Sequence, residues 1–292
     1  MPKIATIGFF DGVHRGHRFL FAQLQEHAKL LNLPPAIYTF SQHPKQILTG
    51  QSPAMLTTNS EREALLRAYG EVHFLDFAAV QHLTAEQFMR YLHDEQDVAA
   101  LLIGYDHHFG SDRLRGFSEY EKIARKIGLH IERAHECLVE GLPVSSSRIR
   151  KLLAAAQIDQ VNRLLGYTYT ISGVVEHGNA IGKKLGFPTA NIRLDSAKQL
   201  PASGVYAVEV HLLSQRSISY KGVANIGTNP TVGNDHLSLE VHLLDFQGDL
   251  YDQSLTISFL SFLREEKKFD SLEELKQQIT TDISNLPNLV RQ

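Results

Sequence analysis

Gly8-Phe9-Phe10-Asp11-Gly12-Val13-His14-Arg15-Gly16-His17 follows at once on an apolar run, Lys3-Ile4-Ala5-Thr6-Ile7. The run reads as a short buried strand, and from His17 onward Leu20, Leu24, Ala28 and Leu31 recur at helical spacing. Both histidines are therefore expected at a strand-to-helix turn. Free amides and the positive end of the helix dipole favour anions there, Gly12 and Gly16 let backbone approach a phosphate, and two imidazoles can donate to phosphate oxygens. The combination suits nucleotidyl transfer, with His14 and His17 as the candidate catalytic pair.

Up to about residue 160 strand and helix patterns alternate, which predicts a mostly parallel sheet with helices on its faces. The expected strands are residues 3–7, 36–40, 71–76, 98–103 and 129–134. Capping boxes at Ser60/Glu63, Thr84/Gln87 and Ser118/Glu121 mark helix starts, and Gly70 and Gly128 mark stops. In such α/β sheets ligands collect beyond the carboxyl ends of the strands, where Gly8, Phe40 and Gly104 all fall. After a helical stretch from Arg148 to about Leu165 the periodicity changes to alternation, as in Val205–Leu212 and Leu237–Leu243. Repeated runs of this kind predict an antiparallel barrel, and Ser271-Leu272-Glu273-Glu274 opens a final helix by another capping box. The change of period sets a boundary near Asn162 to Tyr167 and predicts two domains, residues 1–164 and 165–292.

Composition agrees. At 292 residues the chain exceeds the usual size of one hydrophobic core. Lys plus Arg number 29 against 32 Asp plus Glu, so no basic excess advertises nucleic acid as a partner. The one cysteine, Cys137, excludes an internal disulfide and a cysteine-based zinc site and fits a reducing cytoplasm. Asp11 cuts the N-terminal apolar stretch short and no run approaches the ~18 residues of a membrane span, so neither a signal peptide nor a membrane anchor is expected. The oligomeric state stays open.

The pattern Gly-x-Phe-Asp-Gly-x-His-x-Gly-His resembles the N-terminal signature of the bifunctional bacterial riboflavin kinase/FAD synthetases, whose adenylyltransferase half is a Rossmann-like domain of the HIGH-motif nucleotidyltransferases. The resemblance assigns Gly8, Phe9, Asp11, Gly12 and Gly16 to the nucleotide. Phe40-Ser41-Gln42-His43-Pro44 matches the family's Phe-x-Pro-His-Pro segment, with Gln42 in place of proline, and places Phe40, His43 and Pro44 at the flavin. Leu56-Thr57-Thr58-Asn59-Ser60-Glu61 matches a further family motif that equally serves as a helix start. Gly104-Tyr105-Asp106-His107-His108-Phe109-Gly110 is similar to the Gly-x-Asn/Asp-Phe-x-Phe-Gly loop, so Asp106 holds a nucleotide or metal ligand. Adjacent loop histidines point in different directions, so His107 and His108 are not read as a zinc site. Val144-Ser145-Ser146-Ser147-Arg148-Ile149-Arg150 resembles the second transferase signature. Alone it reads as an N-cap. Within the family its hydroxyls, the helix amides and Arg150 hold the β- and γ-phosphates, His14 and His17 stabilise charge on the α-phosphate and pyrophosphate, and Mg²⁺ shields the anions.

Gly178-Asn179-Ala180-Ile181-Gly182-Lys183-Lys184 is no P-loop: it is one residue short of Gly-x4-Gly-Lys-Ser/Thr and Lys184 replaces the hydroxyl residue. The next stretch, Leu185-Gly186-Phe187-Pro188-Thr189-Ala190-Asn191, resembles the Pro-Thr-Ala-Asn signature of riboflavin kinases. That resemblance implies Thr189 and Asn191 on Mg²⁺ and the ATP phosphates, under a flap containing Gly182, Lys183 and Gly186. Ile181 and Lys183 stand where arginines are common. Gly204–Ala207, Gly222–Gly227 with Pro230-Thr231, and Glu240–Phe246 agree with the same family, which makes Glu240 the base for riboflavin's 5′-hydroxyl. Phe262–Phe269 resembles its flavin-side loop, with Arg264 and Phe269 as flavin residues. The implied substrates and products are riboflavin, FMN, FAD and ATP. Two other readings stay open on sequence: an adenylyltransferase for another small phosphate substrate, and a barrel that only senses flavin or regulates.

Overall fold

The computed structural model describes residues 1–114, 116–177, 186–215, 218–228 and 237–289. It comprises two compact units, Met1–Ser146 and Ser147–Gln292.

The first unit is built on five strands, β1 (Lys3–Ile7), β2 (Pro35–Phe40), β3 (Glu71–Leu75), β4 (Val98–Ile103) and β5 (His130–Arg133). All lie within a residue of the expected spans. They pair in parallel in the order β3-β2-β1-β4-β5. The strands read as continuous apolar runs because helices cover both faces. Ile4, Ile37, Ala100 and Leu102 pack on one face with Phe21 and Leu24, while Ala5, Ile7, Tyr38, Leu101 and Ile103 pack on the other with Phe88 and Tyr120. The strand order reverses direction between β1 and β4, so the crevice for a ligand opens past Ile7 and Ile103.

Helices α1 (Arg15–Leu31), α2 (Pro44–Thr49), α3 (Asn59–Leu66), α4 (Phe77–Val80), α5 (Ala85–Arg90) and α6 (Phe117–Ile127) connect the strands, and a short hairpin of β6 (Leu138–Val139) and β7 (Leu142–Pro143) ends the unit. Two caps differ from expectation. The box on α3 is Thr58/Glu61 rather than Ser60/Glu63, because the same Thr-x-x-Glu pattern occurs two residues earlier, where the chain is already pinned at Leu56 and Thr57. Helix α6 starts behind Gly116 with no side-chain cap, and Ser118 lies inside its first turn. Thr84/Gln87 caps α5 and Gly128 closes α6 in the left-handed region, both as expected, whereas α3 closes on Arg67 and not at Gly70.

In the second unit the helical stretch is broken at Ala156, whose φ is 55°, into α7 (Ser146–Ala154) and α8 (Ile158–Leu165). Both pack with the barrel: Ala202 N donates to the Leu153 carbonyl, and Asn162 Nδ2 donates to that of Phe259. Strands β8 (Thr170–Glu176), β9 (Ala190–Arg193), β10 (Gly204–Leu212), β11 (Ser219–Thr228), β12 (Leu237–Leu243) and β13 (Ser254–Arg264) close into an antiparallel barrel in the order β10-β11-β12-β9-β8-β13. Its interior takes alternate residues, among them Ile192, Val208, Ala224, Leu239, Val241 and Phe259. Helix α9 (Leu272–Leu289) follows, its start held by Glu274 N donating to Ser271 Oγ. No helix among the described residues is long and apolar enough to cross a membrane.

Candidate active sites

The loop after β1 is wound unusually tightly. Phe10, Gly12 and Val13 all have positive φ, at 55°, 78° and 37°. A left-handed valine is costly, and the burial of Phe10 and Val13 in the core under α1 holds it there. This winding delivers His14 to the N-cap of α1, where its Nδ1 accepts from His17 N at 3.4 Å and the two imidazoles stack with centroids 3.6 Å apart. A side chain at residue 16 would press within 3.2 Å of the His14 ring, which is why Gly16 follows. Burial lowers the His14 pKa to about 4, and burial followed by the fields of His14 and His107 drives that of His17 well below its ordinary 6.5. Both rings are thus neutral at pH 7. Because His14 Nδ1 is an acceptor, its proton sits on Nε2, which becomes the outward donor. His17 Nδ1 has no partner among the described residues.

Asp11 is 3% exposed, and its carboxylate accepts from Leu56 N, Thr57 N and Thr57 Oγ1 at 3.0–3.2 Å. Gly12 N donates to Thr57 Oγ1, and Ser146 Oγ donates to the Asp11 carbonyl at 2.9 Å. The first signature is thereby tied to the 56–58 segment and to the serine run. Phe9 meets His43 edge to face at 4.6 Å, and Phe40 ends β2 beside it in sequence position with the α2 N-cap His43 and its N1 residue Pro44. Asp106 is exposed, while His107 is partly buried with its pKa lowered to about 4, chiefly by burial. His107 stands where the family pattern has phenylalanine and is near enough to act electrostatically on His17. Ser145 and Ser146 close the first unit, whereas Ser147 and Arg150 lie on α7 in the second.

On the barrel, β11, β12 and β9 set Asn225, Glu240 and Asn191 side by side in register. Their neighbours Ala224, Ile226, Leu239, Val241, Ala190 and Ile192 are buried inside, so this polar row is on the outer face. Thr189 Oγ1 donates to Glu240 Oε2 at 3.2 Å. The His242 Nδ1 lies 2.8 Å from the Pro188 carbonyl, a second tie between β12 and the Pro-Thr-Ala-Asn segment. Glu266 Oε1 accepts from Asn225 Nδ2, which returns the 265–269 loop to the row. Arg264 is committed elsewhere: its guanidinium grips the buried Asp282 of α9 at 2.8–3.1 Å and lies 5.9 Å from the Phe269 ring. Gly186 is described, with φ 86°, but Ile181, Gly182, Lys183, Pro230 and Thr231 lie outside the described residues.

Two separate sites are therefore built on two folds. Residues 1–148 match the family model for FAD synthetase, and residues 165–290 match that for riboflavin kinase. The chain belongs to the bifunctional riboflavin kinase/FMN adenylyltransferases. A Pseudomonas fluorescens member is 41% identical over 286 residues, 96% of this chain and 91% of its own. The Escherichia coli K12 member is 39% identical over 287 residues, 96% and 90% of the two chains. A solved structure from Streptococcus pneumoniae, described as a macrolide-efflux protein, superposes with a TM-score of 0.90 at 31% identity over 98% of this chain and 94% of its own.

Within this family's frame, the structure adds neighbours to which the sequence analysis gave no role. Thr57, Arg62, His107, Asn225, His242 and Asp282 all touch or border the candidate groups. Motif matching alone signalled Thr57, Asn225 and His242. Asp282 carried no signal, since an ion pair 18 residues away in sequence is invisible without the fold.

Proposed function

We propose that the two reactions are divided along the chain, with residues 1–164 transferring the adenylyl group and residues 165–292 the phosphoryl group. The chain is a bifunctional enzyme that phosphorylates riboflavin to FMN and adenylylates FMN to FAD, with ATP as co-substrate. What carries the reading is that each family segment contains a built constellation of its own: the stacked His14–His17 pair at the sheet's switch point, and the Thr189–Glu240 contact on the barrel. An efflux role would rest on the description of one structural relative alone. A sensing barrel is not favoured, since Thr189, Asn191 and Glu240 meet in one place.

In the first site a phosphate oxygen of FMN attacks ATP's α-phosphorus in line, and pyrophosphate leaves. The neutral His14 donates through Nε2 and His17 through its own ring N–H to phosphate oxygens as charge builds on them, while the α1 amides and Gly12 receive the polyphosphate. Ser145 and Ser146 bind its distal end. Asp11 acts by fixing the loop, and Phe40, His43 and Pro44 face the flavin. In the second site Glu240 accepts the proton of the riboflavin 5′-hydroxyl as that oxygen attacks the γ-phosphorus, and ADP leaves. Thr189, by donating to Glu240, orients the carboxylate. The donors there are all oxygen atoms, a hard set of the kind Mg²⁺ takes together with phosphates, and Thr189 and Asn191 would hold it. When bound it supplies charge neutralisation on the phosphates. The single cysteine supports a cytoplasmic location.

Purified protein incubated with riboflavin, ATP and Mg²⁺ should yield FMN and then FAD when the flavins are separated by chromatography over time. Riboflavin left unchanged, together with supplied FMN left unchanged, would overturn the assignment.

A further inference from the structure

Among the described residues Arg62 is the largest side chain wholly shut away from solvent, at 0% exposure, and the mechanism above gives it no task. Its Nη2 donates to the Phe40 carbonyl at 2.6 Å and to Asn59 Oδ1 at 2.8 Å, and its guanidinium carbon stands 4.3 Å from the centre of the Phe9 ring. Asn59 in turn donates through Nδ2 to the Ser41 carbonyl at 2.9 Å. One turn of α3 thus holds two consecutive carbonyls, those of Phe40 and Ser41, immediately before Gln42-His43-Pro44. The ring that Arg62 carries on its face, Phe9, is the one His43 packs against. First signature and flavin-side segment are joined through this one guanidinium.

Packing alone does not account for a cation here. Nε and Nη1 are buried with no hydrogen-bond partner among the described residues, and burial lowers the pKa to about 10 against the raising field of Asp11. A methionine or leucine of similar volume would fill the space without that penalty. What an apolar side chain lacks is a donor for the end of β2 and a cation for the Phe9 face. The need is sharpened in this chain by Gln42, which occupies the position where the family pattern has a proline that would stiffen the loop by itself.

We propose that Arg62 is a positioning residue of the adenylyl-transfer site, fixing Phe9 and the residue 40–44 segment in the geometry that receives FMN. The proposal deepens the reading of that segment as the flavin side and rests on it. It predicts a selective effect. In the full-length chain, Arg62→Met should raise the KM for FMN by about tenfold, as expected for a binding segment displaced from its productive position, with the KM for ATP within about twofold and riboflavin phosphorylation unchanged. KM does not depend on how much protein is folded, so a merely structural role, which lowers the amount of active enzyme, leaves it where it was. Arg62→Lys, which keeps a charged donor, should recover most of the affinity, and Gln42→Pro placed on Arg62→Met should recover part of it by stiffening the loop directly. If Arg62→Met fails to fold, Asn59→Ala removes the neighbouring Ser41 anchor and should raise the KM for FMN in the same selective way. An FMN KM equal to wild type in the folded variants overturns the proposal, as does an ATP KM that rises in step with it. Unaltered enzyme that forms no FAD from FMN and ATP would instead overturn the functional reading, and this proposal with it.

Discussion

Asp11→Ala separates two roles that the sequence leaves merged, nucleotide ligand and loop scaffold. Its carboxylate accepts from two backbone amides, Leu56 N and Thr57 N, in surroundings where Leu56 is 0% and Thr57 3% exposed. Truncation leaves both amides buried without an acceptor, at ~1–3 kcal/mol each, for a total of about 2–6 kcal/mol. A unit of this size is stable by about 5–15 kcal/mol and shifts by very roughly 3–4 °C per kcal/mol, so its unfolding transition should fall by about 6–24 °C. Asp11→Asn keeps one oxygen acceptor and should fall by about half as much. Calorimetry on the full-length chain reads this directly, with riboflavin kinase turnover as the control for the second unit. Below the lowered transition, the KM for ATP should stay within about threefold of wild type, because the carboxylate faces protein rather than ligand. A transition that moves by less than about 2 °C, accompanied by a large rise in the KM for ATP, would refute the scaffold argument and return Asp11 to the nucleotide.

Three further outcomes are expected. His17→Ala should slow FAD formation from FMN by roughly 10² to 10³, the usual loss for one transition-state donor, while riboflavin phosphorylation survives; equal rates in the folded variant would remove His17 from the mechanism. Glu240→Gln should lower kinase turnover by about 10² or more and spare adenylylation of supplied FMN; kinase activity near wild type would make Glu240 a sheet residue only. The folded state keeps His14 neutral down to about pH 4, whereas the unfolded chain takes up that proton near 6.5. Stability of the first unit is therefore fully present above about pH 6.5 and declines as pH falls toward 4, by on the order of 3 kcal/mol from His14. His14→Asn should flatten that decline in thermal unfolding measured between pH 7 and 4.5, and an unchanged slope would sink the burial argument.

How much was legible differs between the two halves of each argument. The strands of the first unit were readable because they are buried on both faces, so their apolar runs stand out from the capped helices between them. The barrel was readable from its alternation, as in Leu237–Leu243, where Leu239, Val241 and Leu243 are buried. The caps were less secure: Thr58 and Ser60 both begin a three-residue spacing to a glutamate, and only the grip of Asp11 on the preceding amides selects the first. The candidate residues lay in motifs, but two of their partners, Arg62 and Asp282, did not. Arg264 was expected at the flavin, and the partner that orients its guanidinium, Asp282, was not foreseen, because a salt bridge across a fold leaves no local pattern. His107 was set aside as one of two adjacent loop histidines, although the return of β4 beside β1 carries its field to His17.

The histidine stack has a consequence for how the first site handles anions. Two imidazoles with centroids 3.6 Å apart cannot both be cations without strong mutual repulsion, and burial already favours the neutral forms. The corner therefore carries no charge from His14 or His17 at neutral pH, and its attraction for a polyphosphate comes from N–H dipoles at the start of α1. Those dipoles are aimed before the substrate arrives and need no counter-ion to be displaced. Neutral N–H donors already in place when charge accumulates on the phosphate oxygens strengthen their hydrogen bonds as that charge grows, so in the proposed scheme they stabilise the transition state more than the ground state. On the barrel, Glu240 is half-buried on the outer face and accepts a hydrogen bond from Thr189, which fixes the direction of its carboxylate as the proposed base role requires. The proposed scheme thus asks the first site for buried neutral donors and the second for a carboxylate acceptor, and each set is built on its own core.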